Sequence, residues 1–381
     1  MRLRAKRSLD DGGSPGVWPT DSGQRAKVVA NVGRRRCGTV LTTDARILLD
    51  CRWLGVSGVG RVTELLLRGL HELQPRGRWI LWGGDAVGAT LWDGARHARD
   101  ATSPRVRWGQ AALLRVPPHD VALFMNQVRP LRPGRSVTLI HDTIPLRYAP
   151  RWRRPAFRAY YRLIARLSSR ILTPSEFSRA SIVRDLGVPS ERIGVLRYPV
   201  DAALADRVRT IRAGAPRRDA VLYVGRFAPH KNVERLIGAF GRTRFAAAGG
   251  ELLLVGDTPD ARLRRLAGSR RSVTLAGPVE EQVIPTLYAT CRLLVMPSLE
   301  EGFGLPVWEA MASGLPVCVS DGGALPATAR GAAVPFPATS VDAMAAAIDA
   351  SLARDAVCAA PDGPSLRDFA AQVVSELERV A

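Results

Sequence analysis

Two carboxylates and two glycines near residue 300 have types and spacing that suit the binding of a polar ligand. Glu301 and Glu309 are eight residues apart, and Gly302 and Gly304 lie between them. Glycines let the backbone approach a ligand closely. Carboxylates repel phosphate and accept hydrogen bonds well, so this pair suits the hydroxyls of a sugar. A simpler alternative stays open, in which Glu301 is an acid at a helix start and Glu309 a solvated surface residue.

The flanking residues predict the elements that position this pair. The apolar run Leu293–Met296 predicts a buried strand, and residues 307–313 predict a short helix. Pro306 suits the first helical position, and Gly314 suits the residue just past the end. A turn between a strand and a helix start exposes free N–H groups and the positive end of the helix dipole, which attract a phosphate.

Two cations follow another predicted strand, Ala220–Val224. Arg226 and Lys231 are five residues apart and precede a predicted helix, so they also describe a phosphate site. Only three of the chain's 55 basic residues are lysines, and Lys231 is the only one after residue 27. A compact ammonium group is therefore expected to matter at this position. Two solvated surface cations are the alternative.

Two further stretches place polar residues or glycines after a predicted strand. His141 follows the strand 136–140, at the strand end where ligands collect in open α/β sheets, although a lone histidine is more often a packed or capping residue. Gly58, Gly60 and Arg61 follow the strand 45–50 and form either an anion loop or a tight turn. Thr63 stands where the dinucleotide fingerprint requires its third glycine, so that fingerprint is excluded.

These stretches together resemble the family-4 retaining glycosyltransferases, whose signature is E-x7-E. The resemblance covers about residues 45–381 and is carried by Glu301–Pro306, Glu309–Val317, Val319–Pro326, Gly225–Asn232, His141–Leu146 and Ser57–Thr63. It implies an α/β GT-B fold, in which two doubly wound Rossmann-like domains face a cleft and a C-terminal helix crosses back. We accordingly expect a flexible basic tail at 1–44, an acceptor-side domain at 45–200, a nucleotide-sugar domain at 201–364 and a crossover helix at 365–381. Residues 202–219 are expected to form a linker or an excursion.

The resemblance also implies roles for individual residues. The expected catalytic residues are Glu301 and His141 at the donor sugar, with Lys231 and Arg226 at the diphosphate. The expected donor-binding residues are Glu309 at the ribose, Pro278 and Val279 at the base, and Gly302, Phe303, Gly304 and Leu305 around the sugar and phosphates. Gly58, Gly60 and Arg61 are expected to form an acceptor or phosphate loop.

The implied reaction moves a hexose, with mannose as the best guess, from a nucleotide diphosphate sugar to a hydroxyl of a glycan or lipid-linked acceptor. No Asp-Xaa-Asp triplet occurs in the sequence, so we expect neither a metal nor another cofactor. Two alternatives stay open. One is a nucleotide-sugar epimerase with the same fold, and the other is a non-enzymatic binder of anionic polymers, which the net charge of +20 would suit.

Composition favours a cytoplasmic protein that touches a membrane at most peripherally. The cysteines at 37, 51, 291, 318 and 358 show no paired spacing, and no apolar run is long enough to span a bilayer or to form a secretory signal. A predicted helix over residues 155–170 carries Arg158, Arg162, Arg166 and Arg170 at steps of four. With neighbouring aromatic residues, this stripe suits contact with an anionic membrane surface, and a solvated helix face is the alternative. No nucleic-acid recognition motif is present.

Overall fold

The computed structural model describes residues 44–55, 57–83, 91–92, 95–98, 116–333, 335–354 and 358–381. All but the last residue of the predicted flexible tail 1–44 therefore lies outside the described residues, and so does Cys37. Two parallel sheets organise the described part of the chain, one in each half.

The first sheet has seven strands among the described residues, in the order β3-β2-β1-β4-β5-β6-β7, and all of its neighbours are parallel. Its middle strands are apolar and buried on both faces, as expected for a parallel sheet covered by helices. The strands are β1 Arg46–Asp50, β2 Arg78–Trp82, β3 Arg96–Ala98, β4 Val121–Phe124, β5 Ser136–Leu139, β6 Arg170–Thr173 and β7 Ile193–Val195.

The second sheet has five described parallel strands in the order β10-β9-β8-β11-β12. Its strands are β8 Ala220–Val224, β9 Glu251–Val255, β10 Val273–Gly277, β11 Leu293–Met296 and β12 Val317–Val319. The strand order reverses between β1 and β4 in the first sheet and between β8 and β11 in the second. At such switch points the loops after neighbouring strands diverge and leave a crevice at the carboxyl ends. The loops that carry Lys231 and Glu301 follow β8 and β11.

Helices cover both sheets. Those of the first half are α1 Ser57–Leu73, α2 Pro145–Tyr148, α3 Arg154–Leu167 and α4 Glu176–Leu186. Those that follow are α5 Ala202–Gly214, α6 Val233–Phe240, α7 Arg244–Ala247, α8 Ala261–Gly268, α9 Ile284–Thr290, α10 Leu305–Ala312, α11 Leu325–Ala329, α12 Val341–Ala353 and α13 Leu366–Glu378. Within the described ranges, no helix has the length and apolar character that a bilayer crossing needs.

The last helix, α13, returns to the first half of the molecule. Phe369, Val373 and Leu377 are buried in the same core as Ile47 and Leu49 of β1. The crossover that the resemblance implied is therefore present. It fixes the C-terminal end of the chain against α1, so the first core is completed by residues from both ends of the described sequence.

Three predicted elements differ from the structure. The segment expected as a linker contains α5, because Asp201 caps a helix whose Leu204 and Val208 pack into the second core. Helix α1 begins at Ser57, so Gly58, Gly60 and Arg61 lie in its first turns and not in a loop. Helix α3 ends at Leu167.

The predicted stripe of four arginines is therefore shorter than expected. Arg170 lies on β6 and pairs with Glu376 of α13. Arg158, Arg162 and Arg166 remain on α3, and all three are exposed. Just before this helix, the guanidinium of Arg153 lies over the ring of Trp152, 4.5 Å from its centroid.

Candidate active site

Lys231 and Glu301 form an ion pair at the switch point of the second sheet. Lys231 ends a short 3₁₀ turn after β8, and Glu301 lies in the loop after β11. Lys231 Nζ donates to Glu301 Oε2 at 2.6 Å, and the two side chains are 15% and 13% exposed. The structure thus brings together two of the predicted catalytic residues. Since both loops leave adjacent strands of one sheet, the pair is built within one half of the molecule.

Asn232 holds the turn that presents Lys231. Its backbone lies in the left-handed region with φ of 61°, which asparagine tolerates better than most residues. Its buried side-chain amide donates to the carbonyl of Pro297 at 2.9 Å and to that of Ala338 at 2.7 Å. In addition, the carbonyl of His230 accepts from the N–H of Leu299 at 2.7 Å. These bonds tie the lysine turn to the glutamate loop, a role that the sequence pattern did not reveal.

Gly302 is the point where this loop contacts the first half of the molecule. A Cβ atom at this position would lie 2.9 Å from the carbonyl oxygen of His141 and 3.0 Å from Asp142 Cβ. Ser175 Oγ donates to the carbonyl of Gly302 at 2.5 Å, and Ser178 Oγ lies 3.1 Å from the same oxygen. Glycine is therefore required here by close packing between the halves.

His141 lies at this junction with both ring nitrogens engaged. Nε2 is 3.0 Å from the carbonyl of Met125, so it carries the proton and donates. Nδ1 then accepts from the hydroxyl of Tyr198 at 3.2 Å. Burial lowers the pKa of His141 to about 4, so the ring is neutral at pH 7. Burial also raises the pKa of the adjacent Asp142 to about 6, and the charge of Glu301 acts in the same direction.

Phe303, Gly304 and Leu305 complete the loop and begin α10. The Phe303 ring packs against Tyr198 at 4.8 Å and Trp308 at 5.5 Å between centroids, so it joins the halves. Gly304 has a φ of 92° and is the N-cap of α10, and its carbonyl accepts from the N–H of Val307 at 2.9 Å. Pro306 is at the second helical position, one residue later than predicted, because α10 starts at Leu305.

Glu309 lies in α10, and its nearest cation comes from the other half of the molecule. Its Oε1 accepts from Arg61 Nε at 3.2 Å, and its Oε2 accepts from the hydroxyl of Tyr288 at 3.1 Å. Burial raises the pKa of Glu309, and Arg61 opposes that rise. Glu309 is therefore a mostly buried carboxylate with specific partners, 15% exposed, and the alternative of a solvated surface residue is wrong.

For the other predicted residues, no contact with Lys231 or Glu301 is among those that the structure describes. Arg226 is 74% exposed and pairs with Asp257 at 3.4 Å. Pro278 is exposed and Val279 half-buried, directly after β10. A Cβ atom on Gly60 would lie 2.1 Å from the carbonyl oxygen of Trp53, so this glycine serves the packing of α1 on the preceding turn. The binding roles given to these residues by resemblance stay predictions.

A second ion pair that joins the halves was missed by the sequence reading. Arg147 Nε donates to Glu300 Oε2 at 2.8 Å, and its guanidinium also contacts Asp185. Glu300 is 7% exposed. Thr143 donates to the same Asp185 at 2.6 Å. Glu300 stands next to the signature glutamate, but its partner is 153 residues away, and no local signal connects them.

Two family models match this chain, one in each half. Residues 116–204 match Glycosyltransferase Family 4, and residues 218–354 match Glycosyl transferases group 1. Together they cover more than half of the chain. They contain every predicted catalytic residue, and Gly58, Gly60 and Arg61 lie outside them.

Named relatives agree with these models. The O-antigen chain mannosyltransferase B of Escherichia coli is 32% identical over 60% of this chain and 64% of its own length. The GDP-mannose-dependent alpha-mannosyltransferase of Mycobacterium tuberculosis is 32% identical over 43% of this chain and 42% of its own. The chain thus matches less than two thirds of the length of either relative.

A solved structure shows the same architecture. The Anabaena protein HepE, whose crystal structure contains UDP and glucose, superimposes with a TM-score of 0.60 at 18% identity, over 88% of this chain and 97% of its own. At this identity the likeness concerns the fold, which is GT-B. The two family models, the named relatives and the paired parallel sheets agree, and the chain belongs to the family-4 glycosyltransferases.

Proposed function

We propose that this protein transfers a hexose, with mannose as the first candidate, from a nucleoside diphosphate sugar to a hydroxyl of a glycan or lipid-linked acceptor. The anomeric configuration is retained. The observation that carries the proposal is the Lys231–Glu301 pair at the switch point of the second sheet, beside the start of α10. The choice of mannose is supported by relatives that are named mannosyltransferases.

The chemistry requires positive charge at the leaving group. As the diphosphate departs, negative charge grows on its oxygens while the sugar becomes oxocarbenium-like. The Lys231 ammonium and the backbone N–H groups of Gly304 and Leu305, at the start of α10, stabilise that charge, because they are held in place before the reaction begins. Glu301 accepts hydrogen bonds from the sugar hydroxyls and orients the ring. Arg226, exposed beside the same loop, adds a second cation once its side chain turns from Asp257 toward the phosphates.

The nucleoside lies toward the far end of α10 in this proposal. Glu309 accepts hydrogen bonds from the ribose hydroxyls, since each of its oxygens has a lone pair beyond those used by Arg61 and Tyr288. Pro278 and Val279, at the end of β10, contact the base. Neutral His141 supplies no charge and instead shapes the wall of the cleft opposite Glu301.

A thermal-shift screen against nucleotide diphosphate sugars tests the proposal, because a ligand that binds only the folded state raises the melting temperature. GDP-mannose is expected to give a larger shift than mannose alone. NMR analysis of the product formed on an added glycan acceptor should then show that the anomeric bond of mannose is axial, as it is in the donor. Conversion of one donor sugar to another without transfer would identify an epimerase. Retention on DNA without any nucleotide-sugar shift would identify a binder of anionic polymers.

We also propose that the reaction needs no metal ion, since Lys231 and the start of α10 supply the positive charge that a metal would otherwise provide. Transfer is expected to continue at an unchanged rate in EDTA. Loss of activity in EDTA that Mg²⁺ restores would contradict this part of the proposal.

We further propose a peripheral contact between α3 and an anionic membrane. Arg158, Arg162 and Arg166 are exposed along one side of this helix, and Trp152 is 74% exposed just before it. An indole and a row of guanidinium groups suit the interface between lipid headgroups and acyl chains. Such a surface would bring a lipid-linked acceptor to the cleft.

Cosedimentation with vesicles that contain phosphatidylglycerol tests this contact. Replacement of Arg158, Arg162 and Arg166 by Glu is expected to abolish the bound fraction. The matched control replaces three exposed arginines of α8, Arg262, Arg264 and Arg265, by Glu, which changes the net charge equally. Equal loss in both variants would show that net charge alone is responsible, and equal binding of the α3 variant and the unmodified protein would refute the contact.

A further inference from the structure

Arg61 is surrounded by carboxylates from several elements of both halves. Its guanidinium contacts Glu64 at 2.9 Å, Glu309 at 3.2 Å, Glu281 at 3.4 Å, and also Asp201. The Arg61 side chain is 16% exposed, and so its contacts with Asp201 and Glu309, which are 5% and 15% exposed, are largely shielded from water. Arg61 therefore joins α1 of the first half to α10 and to the turn before α9 in the second.

The contact between Arg61 and Glu309 differs from the others because Glu309 is the proposed ligand of the ribose. Arg61 affects whether this carboxyl group is ionised. Burial favours the neutral form of Glu309, and the nearby Glu281 does the same. Arg61 is the largest influence in the opposite direction, followed by the hydroxyl of Tyr288. Removing the guanidinium would leave a buried carboxyl with one hydrogen bond and no cation among the contacts described for it.

Arg68 provides a natural comparison on the same helix. It lies two turns beyond Arg61 and contacts Asp201 at 3.0 Å through both terminal nitrogens, and Glu64 at 3.8 Å. Its described ion pairs do not include Glu309. The two arginines therefore share two carboxylates, and only Arg61 reaches the proposed ribose ligand.

We propose that Arg61 is a positioning residue, whose guanidinium reaches across from the first half to hold Glu309 ionised and oriented for the ribose hydroxyls of the donor. This inference rests on the proposed function of Glu309. It replaces a direct phosphate contact for Arg61, because the guanidinium is already committed to carboxylates. The ribose site is then complete only while the two halves are docked, although the sugar and phosphate end is built within the second half.

The test measures the affinity of nucleotides by calorimetry, with GDP, UDP, ADP and dTDP as probes, between pH 5 and 8. Arg61→Met removes the charge and keeps the apolar stem of the side chain. It is expected to weaken nucleotide binding about tenfold at pH values below the pKa of the Glu309 carboxyl, where a rise of one pK unit lowers the ionised fraction tenfold. Since the pKa of Glu309 rises further without its cation, affinity should fall as the pH falls, and this decline should begin at a higher pH than in the unmodified protein.

Three variants separate positioning from a merely structural role. Arg61→Lys keeps the charge and should recover the affinity to within about threefold, because an ammonium still stabilises the ionised carboxylate. Arg68→Met removes a guanidinium from the same helix and the same carboxylate cluster, and should change the affinity less than threefold. In a Glu309→Gln background, where no carboxyl titrates at this position, Arg61→Met should lose most of its effect and its pH dependence.

The outcomes distinguish this inference from the proposed function. If the unmodified protein binds none of the four nucleotides, the proposed donor site is wrong and the inference falls with it. If nucleotides bind and Arg61→Met binds them equally well, or loses affinity to the same extent at every pH and in the Glu309→Gln background, only the positioning role is overturned. Should Arg61→Met not fold, Arg61→Lys and Glu309→Gln still decide. A pH profile that is unchanged in Glu309→Gln would overturn the inference.

Discussion

The cations that pair with the two signature glutamates, Glu301 and Glu309, come from different parts of the molecule. Glu301 pairs with Lys231 at 2.6 Å, and both residues follow strands of the second sheet. Glu309 pairs with Arg61 at 3.2 Å, across the junction between the halves. One end of the proposed donor site is therefore preorganised within a single sheet, whereas the other depends on docking. We call the Lys231–Glu301 pair the fixed part of the site and the Arg61–Glu309 pair the assembled part. Two glutamates that are eight residues apart thus belong to parts of one site that are built in different ways.

The largest effect on turnover is expected from removing Lys231, the cation of the fixed part. Lys231→Ala should reduce turnover at least ~100-fold, the usual scale for losing one preorganised charge at a leaving group. It also leaves Glu301 buried without its cation. The measurement is the initial rate of sugar transfer at saturating donor, with circular dichroism to verify folding.

Lys231→Arg serves as the matched control, because it keeps the charge and alters only its shape. We expect it to recover part of the rate, since a planar guanidinium cannot occupy the position of the compact ammonium. A folded Lys231→Ala enzyme with a near-normal rate would remove this lysine from the site and end the distinction between the two glutamates.

A second experiment tests how much the contact between the halves contributes to stability, by removing another ion pair that joins them, Arg147–Glu300. Arg147→Ala should lower the free energy of unfolding by about 2 kcal/mol, because Glu300 and Asp185 lose a shared cation while they remain mostly buried. Urea unfolding measures this change.

Arg184→Ala is the control for that experiment. Arg184 also pairs with Asp185, at 3.0 Å, but its side chain is 60% exposed and the pair lies within the first half. Its loss should cost less than about 0.5 kcal/mol. Equal costs for the two variants would show that the contact between the halves contributes nothing beyond an ordinary surface ion pair.

The smallest effect concerns the histidine at the junction. Tyr198→Phe removes the hydroxyl that donates to His141 Nδ1 and should lower kcat/KM about fivefold, the scale of one neutral hydrogen bond. Steady-state kinetics with donor as the varied substrate measure this effect. Tyr160→Phe is the control, since its hydroxyl donates to the Gln127 carbonyl at 3.0 Å, and it should change kcat/KM less than twofold. Equal effects would show that the orientation of His141 does not matter to the reaction.

Local patterns predicted the fixed part of the site well. Each strand followed by a turn and a helix start could be recognised from residues close in sequence, and the fold then placed the turns after β8 and β11 together. The scarcity of lysine singled out Lys231 before any contact was known.

The assembled part could not be predicted, because its contacts join residues that no local pattern relates. Arg61 and Glu309 are 248 residues apart, and Arg147 and Glu300 are 153 apart. Their meeting depends on how two sheets dock, which periodicity does not encode. The missed helix α5 has a related cause, since its two buried residues are recognised as apolar contacts only once the second core is formed.

The absence of a side chain at Gly302 allows the signature loop to approach the first half closely. Its backbone fits against His141 and Asp142 with no space for even a methyl group. An alanine there would force this contact between the signature loop and the first half to widen, because its methyl group would lie 2.9 Å from the carbonyl oxygen of His141. The spacing between the loop and the first half at this point therefore depends on a residue that has no side chain.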